Sequence, residues 1–237
     1  MNKTKQQQLP GFNLTLGITV LYMSFFIGLP GGTFLFSVWH ISLTHFIDII
    51  FSKQVLHAYY VSFLCSFIAM LVNAIFGLLL AWVLVRYKFW GRRIIDGFID
   101  LPFALPTAVA GIALTNLSAS TGWFGQVLYE VGITSAYSLV GITIALIFVG
   151  LPFVVRTVQP VLKECEKDYE EVAYLMGASS LQVFKRVILP EIQPALFIGS
   201  ALAFSRSIGE YGSVIFIAGN LPFKTEIAPV VIMSRLE

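Results

Sequence analysis

Charged residues are missing from long stretches of this chain, and the stretches recur. No Asp, Glu, Lys or Arg falls between Lys5 and Asp48, Lys53 and Arg86, Asp100 and Glu130, or Glu130 and Arg156. A further gap runs from Glu191 to Arg206, and after Glu210 the next charge is Lys224. Lipid offers the backbone no hydrogen-bond partner, so a spanning segment is a helix of about 20 apolar residues. Each gap holds one such helix, with cores at 14–34, 60–85, 99–118, 138–158 and 193–217. The pattern therefore predicts an all-α polytopic membrane protein with about five transmembrane helices. Pro102 and Pro106 remove two backbone donors in the third span, which predicts a kink or a local opening there. Pro152 and Pro160 read as simple bends.

Composition narrows the class. Apolar residues make up 57% of the 237 positions and charged residues 12%, against about 25% charged in soluble domains. With a mean hydropathy of +0.83, a soluble enzyme, a DNA-binding domain and a disordered chain are excluded. A net charge of +2 is too small to imply a nucleic-acid partner.

Orientation follows from Lys and Arg. Lys3 and Lys5 precede the first span, Arg86, Lys88, Arg92 and Arg93 follow the second, and Arg156, Lys163, Lys167, Lys185 and Arg186 lie between the fourth and fifth. The other side holds only Lys53 and Lys224, so a multi-pass protein with a cytosolic N-terminus is expected. Trp39, Tyr59 and Tyr60 mark the outer interface, and Trp82, Tyr87 and Trp90 the inner one. The first apolar run is long and no A-x-A-like site follows it, which favours a span over a cleaved signal peptide. Cys65 in a span and Cys165 in a loop are not placed to pair. Residues 1–237 read as one membrane domain.

One loop, 159–190, changes character. Lys163, Glu164, Glu166, Lys167, Asp168, Glu170, Glu171, Lys185 and Arg186 crowd into it. Tyr169, Val172, Ala173, Leu175 and Met176 recur at helical spacing, predicting an amphipathic helix over about 163–176. Gly177 suits the left-handed position that closes a helix. Ser179 with Gln182 is a capping-box pattern opening a second helix, with Leu181, Phe184 and Ile188 on one side and Pro190 as its limit. The product is a helix–Gly–helix elbow. It is either a solvated loop with its apolar side on headgroups or bundle, or a ligand for a groove on a partner.

The residues Glu171-Val172-Ala173, then Gly177, then Val187-Ile188-Leu189-Pro190, resemble the EAA loop of ABC importer permeases. The departures are Val172 and Val187, where that pattern has Ala and Ile. Leu101-Pro102-Phe103-Ala104-Leu105-Pro106-Thr107, Gly122-Trp123-Phe124-Gly125 and Arg206-Ser207-Ile208-Gly209-Glu210-Tyr211-Gly212 are similar to the sulfate/molybdate branch. Phe216-Ile217-Ala218-Gly219-Asn220 with Pro222-Phe223-Lys224-Thr225-Glu226 is more similar to CysT-type than to CysW-type subunits. The resemblance implies the type I (MetI-like) permease fold with six helices. The last would begin near Ala228-Pro229, so the C-terminal helix is expected to be missing, the sequence being either a fragment or a chain that has lost it. It further implies that Glu171, Ala173, Gly177, Leu189 and Pro190 couple the chain to ATP-binding subunits. The other implied partners are a second, CysW-type permease, a sulfate-binding protein and membrane lipid. The membrane is a bacterial inner membrane or a plastid membrane.

In the fifth span Arg206 and Glu210 stand four apart on one helical face. An intramembrane Arg costs about 2.5–3.5 kcal/mol on insertion scales, so the pair faces protein or a wet cavity. It either locks helix packing or, with Ser207 and Tyr211, lines or gates an anion pathway. Ser205 and Ser213 add hydroxyls, and Gly209 and Gly212 allow close helix approach. His40, His45, His57 and Asp48 match no metal spacing and read as interface residues. Gly31-Gly32 lacks the lysine of a phosphate loop, so no cofactor is expected on this chain and ATP belongs to a partner. The expected function is transport of sulfate or thiosulfate, not enzymatic chemistry. Rival readings are a molybdate or tungstate permease, an ion-coupled secondary carrier and a membrane-embedded hydrolase. A carrier would leave the elbow unexplained. A hydrolase needs a constellation at depth, and no histidine lies deep in a span.

Overall fold

The structure, a computed structural model, describes residues 11–39, 41–165 and 167–236. Lys3, Lys5, His40 and Glu166 lie outside them. The chain divides into two compact units, Met1–Ser52 and Lys53–Glu237. The first unit holds α1 (Phe12–Met23), a π-helical turn at Ser24–Gly28, α2 (Leu29–Trp39) and α3 (Leu43–Ile50). None of these helices buries a residue; α1 and α2 are mostly apolar around their circumference and depend on lipid or another surface for cover, whereas α3 carries Thr44, His45 and Asp48 among its apolar residues.

The second unit is built on three long helices, α4 (Lys53–Arg86), α9 (Leu139–Glu164) and α12 (Leu189–Ile208). Between the first two lie α5 (Arg92–Ile99), α6 (Leu101–Ala104), α7 (Thr107–Ser118) and α8 (Trp123–Glu130). Between the last two lie α10 (Lys167–Leu175) and α11 (Ser180–Val183). After α12 come α13 (Val214–Ile217) and α14 (Ala228–Leu236), the latter starting where the resemblance places the next family helix. No strand occurs among the described residues.

Four helical runs are long and apolar enough to cross a membrane: Phe12–Trp39, Lys53–Arg86, Leu139–Glu164 and Ser180–Ile208. The third expected span, 99–118, is instead broken into α6 and α7, with α5 ending at its first residue. Pro102 is tolerated in the first turn of α6, but Pro106 forces Leu105 into extended backbone (φ −91°, ψ 138°) and α7 restarts after it. The fifth also departs from expectation. Its helix ends at Ile208, and residues 209–213 form a turn before α13.

Prolines act differently in the long helices. α9 runs unbroken through Pro152 and Pro160. Pro190, expected to stop the helix after the elbow, does not. Residues Phe184–Ile188 widen into a π turn, the Leu189 N–H bonds the Phe184 carbonyl, and Pro190 falls in the first turn of α12. The wider turn relieves the clash of a proline ring with the preceding carbonyl, so Ser180–Ile208 stays one rod. The amphipathic helix expected over 163–176 is likewise divided: α9 ends at Glu164, Cys165 turns extended (ψ 112°), and α10 starts at Lys167.

The core lies where α4, α9 and α12 meet. At one end Val61, Cys65, Ile142, Leu146, Val214, Ile217 and Ile227 pack together. At the other, Leu84, Ile99, Val155, Val158, Leu162, Val183, Ile188 and Ile192 do so. Small residues let the backbones approach, as in other helix bundles that pack without a hydrophobic drive from water. Opposite faces are left bare, with Phe63, Phe67, Ile75, Phe76 and Leu79 exposed along α4.

Candidate functional site

The elbow is closed by local chemistry. Gly177 adopts φ +84°. Its N–H bonds the Tyr174 carbonyl at 2.9 Å, and the Ala178 N–H bonds the Ala173 carbonyl at 3.1 Å. Those two bonds are the Schellman arrangement that satisfies the last carbonyls of α10. Ala173 and Ala178, which bracket it, both rest against the core beneath. Ser179 then opens α11 with the expected reciprocal cap: its Oγ accepts the Gln182 N–H at 3.4 Å, and its own N–H donates to Gln182 Oε1 at 2.8 Å.

Below the elbow Val183 and Ile188 are buried, Phe184 meets Trp82 edge to face at 5.5 Å, and the Arg86 guanidinium lies 5.5 Å over the Trp82 ring. Arg86 also pairs with Glu170 in the first turn of α10, both side chains being largely buried. Above it the apolar stripe is bare. Leu175 is 88% exposed and Met176 83%, with Tyr169, Val172 and Leu181 also exposed. Among the coupling residues expected from the sequence, Glu171, Gly177 and Pro190 are exposed, while Ala173 and Leu189 are half-buried against the core. Leu181 therefore does not share the packed side of Phe184 and Ile188.

Beside the elbow, Arg156, in the C-terminal half of α9, holds α5 and α6. Its guanidinium bonds both oxygens of Asp100 (2.8 and 2.6 Å), Asp96 Oδ1 (2.8 Å), the Asp96 carbonyl (2.8 Å) and Gln159 Oε1 (2.7 Å). Burial works against the charge on Asp96. Hydrogen bonds from Gln159 and Arg156, with the charges of Arg156 and Lys163, outweigh it and hold that carboxyl below the usual range. A hollow of about 280 Å³ within the bend is lined by Glu164, Cys165, Tyr169, Glu170, Val187 and Glu191. Burial, then the Glu191 charge, pushes the Cys165 thiol up, so it is a poor nucleophile.

The second candidate group sits where α12 breaks. Glu210 is 1% exposed, and its Oε2 lies 2.6 Å from Arg206 Nη1. Its Oε1 accepts the Ser213 N–H at 2.9 Å and the Ser213 hydroxyl at 3.0 Å. The carboxylate is thus fully engaged, and the pair survives although Glu210 lies beyond the helix rather than on its face. The turn is pressed on α7: a Cβ at Gly212 would come within 2.1 Å of Thr107 Oγ1, and one at Gly111 within 2.5 Å of the Ser213 carbonyl. Thus the two broken spans meet each other. Tyr211 packs on the apolar cluster of the far end and Ser207 is buried among helices, so neither joins the Arg206–Glu210 pair.

Sequence reasoning passed over Asn73. It is wholly buried on α4, and neither side-chain atom has a partner among the described residues. Its Nδ2 is 2.5 Å, and the Ser207 Oγ 3.6 Å, from the place a Gly150 Cβ would take. An Asn inside an otherwise apolar span was the available signal.

Residues 73–234, from Asn73 to the last turn of α14, match the family described as binding-protein-dependent transport system inner membrane component. The chain belongs to that family. It is an ABC importer permease subunit with the MetI-like fold. A protein of Salmonella typhimurium named sulfate transport system permease protein CysT is 46% identical over 234 residues, covering 99% of this chain and 84% of that one. Its Escherichia coli counterpart is 45% identical with the same coverage. The Nephroselmis olivacea protein named probable sulfate transport system permease protein cysT is 47% identical, covering 93% of this chain and 78% of its own. The likeness of this permease to the CysT type, read from Phe216–Asn220 and Pro222–Glu226, is borne out. As a permease subunit it is a transport component, and the broken spans and bare elbow are features of its membrane domain.

Proposed function

We propose that this permease subunit carries sulfate or thiosulfate into a bacterium or plastid, driven by ATP hydrolysed on separate subunits. The anion assignment rests on the relatives, which are named as sulfate transport permeases. In this reading the N-terminus and the elbow are cytosolic, as the excess of Lys and Arg on that side favours. A CysW-type permease completes the pathway, and a sulfate-binding protein delivers the anion on the other side.

One observation carries the coupling role: a bare apolar stripe, Leu175 and Met176, on a bend made rigid from beneath by the Arg86–Glu170 pair. Apolar helical side chains held off the bundle suit a groove on a partner. Ser180–Ile208 is one rod of 29 residues, about 44 Å long. Force on the elbow is then carried along this continuous helix, its π turn included, to the Arg206–Glu210 turn. Glu171, Ala173, Gly177, Leu189 and Pro190 form and carry the handle. Arg206 and the buried Ser207 sit at the rod's far end, with Glu210 and Tyr211 just beyond, where motion opens or closes the route. Nucleotide biases the two states only by as much as it binds one of them better.

The test is uptake of labelled sulfate in a host lacking its own permease, with the ATP-binding and binding-protein subunits supplied and molybdate as competitor. Sulfate uptake that fails without the ATPase, and that molybdate does not suppress at equal concentration, supports the proposal. Uptake independent of the ATPase would replace it with a secondary carrier. A cysteine at Met176 should crosslink to the ATP-binding subunit.

A further inference from the structure

The turn between α4 and α5 carries chemistry that transport leaves unused. Lys88, Arg92 and Arg93 stand around an open hollow of about 440 Å³, walled by Phe89 and Trp90. Unlike Arg86 and Arg156, none of these three cations has an ion-pair partner among the described residues. Gly91, at φ +85°, makes the bend that gathers them and starts α5. The first turn of α5 holds no acidic residue, so the positive end of its helix dipole adds to the three side chains. The nearest carboxylate on that helix, Asp96, is committed to Arg156 and Gln159.

The apolar side chains say which medium this hollow faces. Trp90 is 95% exposed, and Ile94, Ile95 and Phe98 of α5 are exposed as well, while Ile99 is buried in the core. An exposed Trp beside free cations, at the end of a 34-residue apolar helix, belongs at a bilayer surface, where the ring sits among headgroups and the charges meet phosphates. Water alone would leave the Trp and Ile surface uncovered. A neutral lipid would leave three positive charges unmatched.

We propose that Lys88, Arg92 and Arg93, with Trp90, form a binding site for the phosphodiester headgroup of an anionic phospholipid. The cations take the phosphate oxygens, and Trp90 and Phe89 cover the glycerol and upper acyl chain. Bound lipid would hold the α4–α5 turn at a fixed depth.

The full chain, purified in detergent, is titrated with phosphatidylglycerol and with phosphatidylcholine, and bound lipid is counted by native mass spectrometry. Phosphatidylglycerol should be retained and phosphatidylcholine lost. Replacing Lys88, Arg92 and Arg93 together by Gln should weaken phosphatidylglycerol binding by about a hundredfold, at about 1 kcal/mol per cation near the surface. Lys224→Gln, far along the chain, should leave binding unchanged. Should the triple variant misfold, Lys88→Gln alone should still weaken binding, and Trp90→Ala should lower the retained lipid with all charges kept. Equal retention of the two lipids, or unaltered binding by the variants, overturns the proposal. So does displacement of the lipid by inorganic phosphate at matching concentration, which would mark a free-anion site. None of these readouts involves transport, so the proposal stands or falls apart from the anion assignment.

Discussion

The Arg156 guanidinium meets the Asp100 carboxylate edge on, with Nε 2.8 Å from Oδ1 and Nη2 2.6 Å from Oδ2. This fork joins the C-terminal half of α9 to the break before α6, and only a planar cation makes both bonds at once. Arg156→Lys keeps the charge and loses the fork. It should lower the thermal midpoint of the purified subunit by about 2–4 °C, the scale of a 1 kcal/mol loss in a chain of this size. Asp100→Asn should act similarly, and the double variant should lose less than the two singles added together.

Asp96 shares that cation, and its depressed pKa sets the direction of a pH effect. A carboxyl held below its ordinary value of about 3.9 releases its proton more easily folded than unfolded. The unfolded chain then binds more protons, so the stability this group adds is complete above about pH 4 and is lost as pH falls toward the folded value. Asp96→Asn should flatten the acid limb of a stability-against-pH curve while changing its neutral portion little in slope. An acid limb as steep as the parent's would show that the group does not contribute.

Arg206 and Glu210 predict an asymmetric result. Glu210 is buried, so Arg206→Gln strands a carboxylate with only the Ser213 donors, a loss of about 3–5 kcal/mol. Glu210→Gln leaves Arg206, which is 36% exposed, better able to find other partners and should cost less. The double change to Gln should recover most of the stability lost by Arg206→Gln. Expression and thermal midpoint measure packing. Sulfate uptake by the double variant then reports whether the charges also serve the pathway.

What the sequence made legible was local. Gly177, Ser179 and Gln182 follow rules that span three or four residues, and the elbow has the caps those residues imply. The contacts that hold the elbow down are different in kind. Arg86 and Glu170 lie 84 positions apart, and Arg156 and Asp100 lie 56 apart, so no periodicity relates them. Apolar runs located lipid-facing stretches but not helix ends. Hydrophobicity records where water is excluded, whereas α12 stops at Ile208 because Glu210 turns to bind Ser213. The π turn before Pro190 escaped notice for a related reason. Proline is read as a helix stop, and a rod that widens one turn earlier leaves no mark in composition.

Gly177 separates folding from coupling. Among the described residues nothing lies within 4 Å of where its Cβ would be, so Gly177→Ala meets no clash and costs only the left-handed backbone, about 1–2 kcal/mol. A bulky replacement such as Gly177→Trp carries the same backbone cost, and membrane insertion should stay near the parent's. It would stand beside the exposed Leu175 and Met176, where a partner's groove is proposed to close. Crosslinking to the ATP-binding subunit and labelled sulfate uptake should both fall by at least about tenfold, a loss of about 1.4 kcal/mol in docking. Undiminished uptake with Trp at this position would remove the elbow from the coupling path.

Asn73 invites the opposite experiment, a gain in stability. Its carboxamide is fully enclosed by α4 and its neighbours and makes no hydrogen bond among the described residues. Burying such a group unpaired costs about 1–3 kcal/mol, and an apolar side chain of similar volume does not incur that cost. Asn73→Leu should therefore raise the thermal midpoint of the solubilised subunit by several degrees. Gly150→Ala, which drives a methyl to within 2.5 Å of Asn73 Nδ2, should lower it. If the crowding arises at that amide, combining Gly150→Ala with Asn73→Ala should restore most of the loss. A fall in midpoint for Asn73→Leu would show instead that the carboxamide is bonded in the working subunit.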